Sequence, residues 1–391
     1  MGDIAILING DRGKNYPSQA DITEDGDVPF VNAGHLNGID IDFTEMNYIS
    51  QAKYDSLNSG KFQYGDILYC LRGSLGKKAK VNTTIFGAVA SSLVIIRSDP
   101  QKVNSDYLMF ALDSPSIKEQ LIKANNGSSQ PNLSAASVRQ YCIELPELEL
   151  QDKIVKKLTK LRSIIAHRKQ QLTKLDELVK ARFVEMFGEP IDNPMRWQVK
   201  PLKELSFLIT NGNTPQGGRE NYVDSGIIFL RSQNVWRNRI DLSDVAYIDD
   251  VTHQKMRKSS VKHKDILITK TGRINTENSS LGRAALYLGE DDSANINGHV
   301  YLVRLNDAVV PEFVVTILTG EAYRKYIRKV CVGGIDKRQI NLDQVEDFPI
   351  ILPPIEQQRA FADFSNQINK SKFITEIILS TIRRVRFYDQ F

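Results

Sequence analysis

The chain has 391 residues, 41% of them hydrophobic and 25% charged, with a net charge of +4. That composition fits two or three globular domains and excludes a disordered chain. The opening MGDIAILINGDRGKNYP carries no basic leader before an apolar run, and no apolar stretch nears about eighteen residues, so a cytoplasmic, non-membrane protein is expected.

The first part of the chain shows short apolar runs bounded by Gly, Asn and Asp, which predict strands: VPFVNAGHLN around Phe30, DILYCLR from Asp66, and SSLVIIRS at 91–98. A helix is expected over 106–123, then a buried strand YCIEL (141–145) that stops at Pro146 because proline lacks the ladder N–H. From Glu147 to Phe187 a heptad pattern places Ile154, Leu161 and Leu175 in one row, and Leu158, Ile165, Leu172, Val179 and Met186 in the other. Such a helix is on the order of 60 Å long, too long for one small domain to bury. Arg168 and Arg182 interrupt its first row.

The remainder repeats this plan. Phe229, Tyr247 and Asp265 answer Phe30, Tyr48 and Asp66, each at the same interval of 199 residues (229 − 30, 247 − 48, 265 − 66). SLGRAA at 280–285 then answers SLGKKA at 74–79 after a seven-residue insertion (280 − 74 = 206, against 199). The helix 312–329 and the strand FPIIL (348–352) follow. In LPPIEQQ, Pro354 suits the first helical position and Glu356 the positive end of the helix dipole. Pro146, Glu147 and Glu149 play those parts upstream. The second long helix offers Phe364, Ile368, Ile378, Ile382 and Val385, with Ser371 and Thr375 weakening its middle.

The predicted class is α+β: two pseudo-two-fold-related mixed α/β domains separated by a pair of long antiparallel coiled-coil helices. The boundaries are 1–146, 147–188, 189–352 and 353–391. The RWQVKPL segment ahead of the second domain has no counterpart before MGDIAILING, while RFYDQF (386–391) answers RFVEMF (182–187), which suggests a circular arrangement.

The duplication, the NG…P opening, the GDIL…RG core and the LPPxEQQ junction together resemble the specificity (S) subunit of type I restriction-modification systems, over essentially the whole chain. The resemblance implies two target-recognition domains that each read half of a split double-stranded DNA target. It also implies helices that set their separation and dock two modification subunits, with restriction subunits in the full complex. S-adenosylmethionine, ATP and Mg would belong to those partners. A scaffold for the methyltransferase subunits that no longer reads DNA, such as an inactive or phase-variable copy, is the alternative.

Reading loops should be basic, polar and glycine-rich, with Lys and Arg for phosphates and Arg, Asn and Gln for base edges. Candidates in the first domain are Arg12, Lys14, Arg72, Lys77, Lys78 and Gln130. In the second they are Arg219, Arg231, Gln233, Asn234, Arg237, Arg239, Lys270, Arg273, Arg283, Lys337 and Arg338. His35 and Trp236, at or beside these loops, are read as packing or stacking groups.

Catalysis finds no support: there is no P-loop, no cofactor loop and no Asn-Pro-Pro-aromatic tetrad, and the five histidines show no metal spacing. The odd, scattered cysteines, Cys70, Cys142 and Cys331, read as buried free thiols rather than a disulfide frame or a zinc site. Asp66 and Asp265 read as turn residues at strand starts rather than paired catalytic carboxylates.

Overall fold

The computed structural model describes residues 1–125, 132–215, 217–276 and 278–388, with side chains described as far as Ile382. Two compact units form, Met1–Ala166 and His167–Phe391, and the division falls inside the first long helix.

In the first unit, strands Ala5–Asn9, Leu93–Ser98, Ile67–Cys70 and Lys78–Lys80 make an antiparallel sheet in that spatial order. The second unit repeats it with Ser206–Asn211, Val300–Leu305, Ile266–Thr269 and Ala284–Leu286. Each unit adds a smaller sheet with one parallel pairing, Phe30 opposite Ala88 and Ile228 opposite Ala294. The class is therefore the expected α+β.

The central strands read as unbroken apolar runs because both faces are covered. Alternate side chains face opposite ways. Ile67, Tyr69, Val94 and Ile96 pack with the helical residues Leu108, Met109 and Ile117. Leu68, Cys70, Leu93 and Ile95 pack with Val31, Phe62 and Val89 of the smaller sheet. The second unit does the same, Ile266 and Ile268 against Phe313 and Ile317, and Leu267 and Leu302 against Leu230 and Ile296.

Asp66 and Asp265 do more than turn the chain. Each is buried, accepts a backbone hydrogen bond three residues upstream (Gln63 N at 2.9 Å; Lys262 N at 2.7 Å), and takes a two-pronged contact from an arginine. Arg97 Nε and Nη2 lie 2.9 and 2.7 Å from the Asp66 oxygens, and Arg304 repeats those distances on Asp265. The same guanidinium group also reaches a backbone carbonyl, Lys61 or Ser260. Each pair thus ties the strand carrying its aspartate to the neighbouring strand.

Several sequence expectations need correction. The helix expected over 106–123 is two, Ser105–Ala111 and Pro115–Ala124, because the residue before a proline leaves helical space and Ser114 caps the new start, accepting from Ile117 N at 3.3 Å. Its counterpart breaks at Gly320, which takes an extended conformation, giving Pro311–Thr319 and Glu321–Val330. Pro349–Leu352 is a strand, paired antiparallel with Gln198–Pro201. Its expected twin at 141–145 is not a strand: Arg139 O accepts from Gly2 N at 3.0 Å and Tyr141 O from the Met1 amino group, with no ladder partner among the described residues. Cys142 is consequently exposed, whereas Cys70 and Cys331 are buried.

The long helices run Leu148–Phe187 and, within the described residues, Ile355–Tyr388. Pro354 stands just before the second rather than inside it, its carbonyl accepting from Gln357 N and Gln358 N. The glutamines of the two junctions are the fasteners. Gln151 and Gln358 are buried; Gln151 Oε1 accepts from Asn104 N at 2.8 Å and its Nε2 donates to Pro146 O at 2.8 Å and Lys102 O at 3.2 Å. Gln358 accepts from Val310 N at 3.0 Å and donates to Pro353 O at 2.9 Å. Each locks its helix start to the loop ahead of a shorter helix. Gln358→Ala strands a buried donor and a buried acceptor, and about 2 kcal/mol of stability is expected to disappear in chemical denaturation.

Within the second unit the helices pack antiparallel, since Asp176 pairs with Lys372 while Phe183, further along, meets Phe361, earlier in the second helix, edge-on. Ile154, Leu158, Leu161, Ile165, Leu172, Leu175 and Val179 are half-buried, as are Phe364, Ile368, Ile378 and Ile382; the Val385 side chain lies outside the described residues. Phe361 and Leu379 are buried more deeply than those positions. Thr375 is buried too, because its hydroxyl is satisfied by Ser371 O at 2.9 Å.

Candidate nucleic-acid interface

The seven-residue insertion lies between Asp265 and Ser280, in a basic loop of the second unit. In the second unit, the strand Ile266–Thr269 leads through Lys270 into Thr271–Arg273. That segment pairs with Lys337–Gln339, which in turn pairs with Val332–Gly333, giving a three-stranded finger. At the same place in the first unit, among the described residues, Arg72 forms an isolated bridge with Asn132. The bond closing the base is shared: Leu133 N to Leu71 O at 2.8 Å, and Ile340 N to Lys270 O at 2.9 Å.

The finger gathers four candidates. Arg273 lies opposite Lys337 and Gly272 opposite Arg338, with Lys270 at the base, its Nζ 5.7 Å from the Tyr301 ring centre. Beside it, the hairpin Val235–Trp236 and Arg239–Ile240 turns through Arg237 and Asn238, which adopts a left-handed φ of 55°. Arg283 lies with its guanidinium 3.9 Å from the centre of the Trp236 ring, and Arg239 stands at 6.0 Å.

Three candidates are withdrawn by burial. Lys78 is inside the first unit, paired with Asp113. Arg283 is buried and donates to Ser279 O at 3.0 Å and to Asn278 O. Its burial, and then the Arg237 charge, push its pKa below the usual value. Asn234 is buried as a loop brace. Lys77 is half-occupied, donating to Ala33 O at 2.9 Å, and Gln233 and Arg231 lean on Asp244. Arg237 pairs with Glu321 at 3.1 Å. Arg12, Lys14, Arg72, Arg219, Arg239, Arg273 and Lys337 are exposed, while Gln130 lies outside the described residues.

The loop openings are held by backbone. A Cβ on Gly10 would fall 2.5 Å from Ala90 O, and one on Gly212 only 2.0 Å from Ile296 O, so both NG sequences mark close approach to the neighbouring strand's end. Asp11, buried next to Arg12, accepts from Gly13 N at 2.7 Å and Asn58 N at 2.8 Å; these bonds hold its carboxyl below the usual range.

His35 and Asn234 occupy matched positions and perform one task. His35 Nδ1 accepts from Asn32 N at 3.1 Å and Nε2 meets Glu45 O at 3.1 Å. Asn234 Oδ1 accepts from Arg231 N at 2.9 Å and Nδ2 donates to Asp244 O at 2.8 Å. The histidine must be neutral with its proton on Nε2, and burial lowers its pKa, with Asp42 opposing and Lys77 assisting. An unfolded chain therefore binds the proton first as pH falls below about 6.5. Stability of the first unit is expected to be full above that value and to decline beneath it. His35→Asn, copying the second unit, should flatten that decline in melts taken from pH 7 to 5.

The model of the type I restriction modification DNA specificity domain matches residues 1–177 and again 194–383. The chain belongs to this family. It is a specificity subunit, and such subunits are the non-catalytic components of their complexes. Among curated relatives from Methanocaldococcus jannaschii, the MjaVIII specificity subunit is 22% identical over 93% of this chain and 83% of its own length. The MjaIX specificity subunit is 24% identical over 84% and 77%. The putative MjaX specificity subunit is 26% identical across 45% of this chain and 41% of itself. The fold matches the crystal structure of a type I S subunit from M. genitalium, with a TM-score of 0.57 at 13% identity over 98% of this chain and 92% of that one. A further type I chain, solved in work on complex assembly and conformational transition, gives 0.56 at 16% identity over 98% and 93%.

Within this specificity subunit, no described group of three or more His, Cys, Asp and Glu side chains is placed to hold a metal ion. No described helix is long and apolar enough to cross a membrane. Sequence reasoning missed Arg97, Arg304, Gln151, Gln358 and the Trp236–Arg283 stack. The arginines had a legible signal, since VIIRS and YLVRL both carry an Arg just before the end of a strand that is otherwise apolar.

Proposed function

We propose that this specificity subunit reads a split double-stranded DNA target, each unit taking one half. The boundaries are 1–146 and 189–352 for the reading domains, with the helices 147–188 and 353–391 setting the gap and docking two modification subunits. Restriction subunits join the full complex in the cytoplasm, and S-adenosylmethionine, ATP and Mg act on those partners. The observation that carries this is the repetition of one sheet-and-helix plan around basic loops that differ between the copies, RGSLGKKAK in one and KTGRINTENSSLGR in the other. A duplicated scaffold with unlike reading edges suits a target whose halves differ, because half-site spacing mirrors the spacing of reading elements.

Among the exposed cations, Arg12, Lys14, Arg72, Arg219, Arg239, Arg273 and Lys337, with Arg338 and Lys270, are the residues assigned to DNA. Sequencing the methylome of cells that express the chain with its modification subunit should reveal one split adenine-methylated motif. Assembly without any such motif, and equal binding of random duplex with an unchanged salt slope, would instead identify a scaffold that does not read.

A further inference from the structure

The tip of the finger carries a side chain that no part of the unit explains. Ile335 is 91% exposed, more than any other large apolar residue described. It does not sit on a loose loop. Arg338 Nε donates to Gly334 O at 3.2 Å on one side, and on the other Ile274 N donates to Asp336 O at 2.9 Å while Arg273 pairs with the Asp336 carboxylate at 3.3 Å. Gly333, at φ +128°, turns the chain where a Cβ would crowd Lys337 O at 3.0 Å. The tip is braced outward, and a β-branched side chain adds little freedom of its own.

The surroundings select the partner. Arg273 and Lys337 face one another across the ladder and Arg338 follows; the Asp336 carboxylate beside the tip offsets Arg273, and the collar stays net cationic. A lipid or an apolar protein groove is poorly served by that collar, whereas phosphates are well served. A β-ribbon is of a size that enters the major groove, and the one apolar group on the base edges there is the C5 methyl of thymine.

We propose that Ile335 is a specificity-determining contact that meets a thymine methyl in the target. This rests on the reading function proposed above and names one base class it selects. The first unit, with NNGSSQPN at 125–132 in place of GGIDKRQIN, has no isoleucine in that segment and would make no such contact.

The test uses the chain assembled with its modification subunit and the target found by methylome sequencing, with each thymine replaced in turn by deoxyuridine, which lacks only the methyl. Wild type should lose about three- to tenfold in affinity at one thymine. Ile335→Ala should bind the unmodified duplex weaker by the same factor, ignore that replacement, and melt like wild type because the side chain is solvent-exposed. Any of these results overturns the proposal: a target without thymine, wild type indifferent at every thymine, Ile335→Ala still sensitive, or Ile335→Ala impairing subunit assembly instead. A rise in 2-aminopurine fluorescence beside the contact, marking an opened base step, also overturns it in favour of a wedge. If the target is methylated and bound while deoxyuridine is neutral, only the Ile335 contact fails. If no split target is methylated, the reading function fails and the contact with it.

Discussion

Phe187→Ala is expected to destabilise the second unit by about 3–5 kcal/mol, the range for truncating a fully buried phenylalanine. Phe187 has no exposed surface and lies in a cluster with Phe183, Phe313 and Phe361, its ring centre 4.9 Å from that of Phe313 and 5.8 Å from that of Phe361. Phe183 in turn stacks on Phe313 at 5.6 Å and meets Phe361 edge-on at 5.3 Å. The cluster joins the end of the first long helix, the start of the second and a domain helix. A small residue leaves a hole that three rings from three helices cannot close together. Guanidinium denaturation followed by circular dichroism measures the loss, and Phe373→Ala serves as the control: that ring is 64% exposed, so its removal should stay within about 0.5 kcal/mol. Equal losses from the two would disprove the packing argument.

Asp265→Asn is expected to cost about 2–4 kcal/mol, and Asp66→Asn a similar amount in the first unit. The amide keeps the shape and one acceptor for the upstream N–H but turns an NH2 group or a neutral oxygen towards a guanidinium. The aspartates are almost wholly buried, at 2% and 1% side-chain exposure, while Arg304 and Arg97 retain 26% and 31%, so the arginines regain some water and the loss stays below that of a fully enclosed pair. Two separate melting transitions, each lowered only by its own variant, would show that the repeated pairs serve their own units. A variant that leaves the midpoint unchanged would remove the pair from the stabilising interactions. Arg304→Lys should recover little, since one ammonium cannot span both carboxylate oxygens in parallel.

Much of the architecture is written in the repeated residues. Phe30 and Phe229 are buried, Asp66 and Asp265 start equivalent strands, and the heptad rows between Ile154 and Val179 lie along a half-buried stripe. Periodicity reports burial because side chains recur on one face of a helix every three or four residues. It is silent about which face a partner reaches most deeply, and so Phe361 was passed over and Thr375, expected to weaken the middle of its helix, is instead buried. The junction motif was legible as a strand leading into a helix, which holds in the second copy and not at 141–145 in the first, and the buried glutamine that fastens each looked like one more polar residue of a first turn.

The candidate interface was harder to read for a related reason. Basic residues in glycine-rich loops look alike along the chain, and only folding separates Arg273, exposed on a ladder, from Arg283, buried against Trp236, and Lys78, buried against Asp113.

What the amino-acid order determined by itself is the duplication, the alternation of sheet domains with long helices, and the family, because these depend on spacing and residue type along the chain. The tertiary structure alone decided which cations face solvent, that Thr271–Arg273 joins the hairpin 332–339 to make a finger, and that Ile335 stands at its tip. Those outcomes depend on hydrogen bonds between strands more than sixty residues apart in the chain, such as Arg273 opposite Lys337, whose pairing no local pattern encodes.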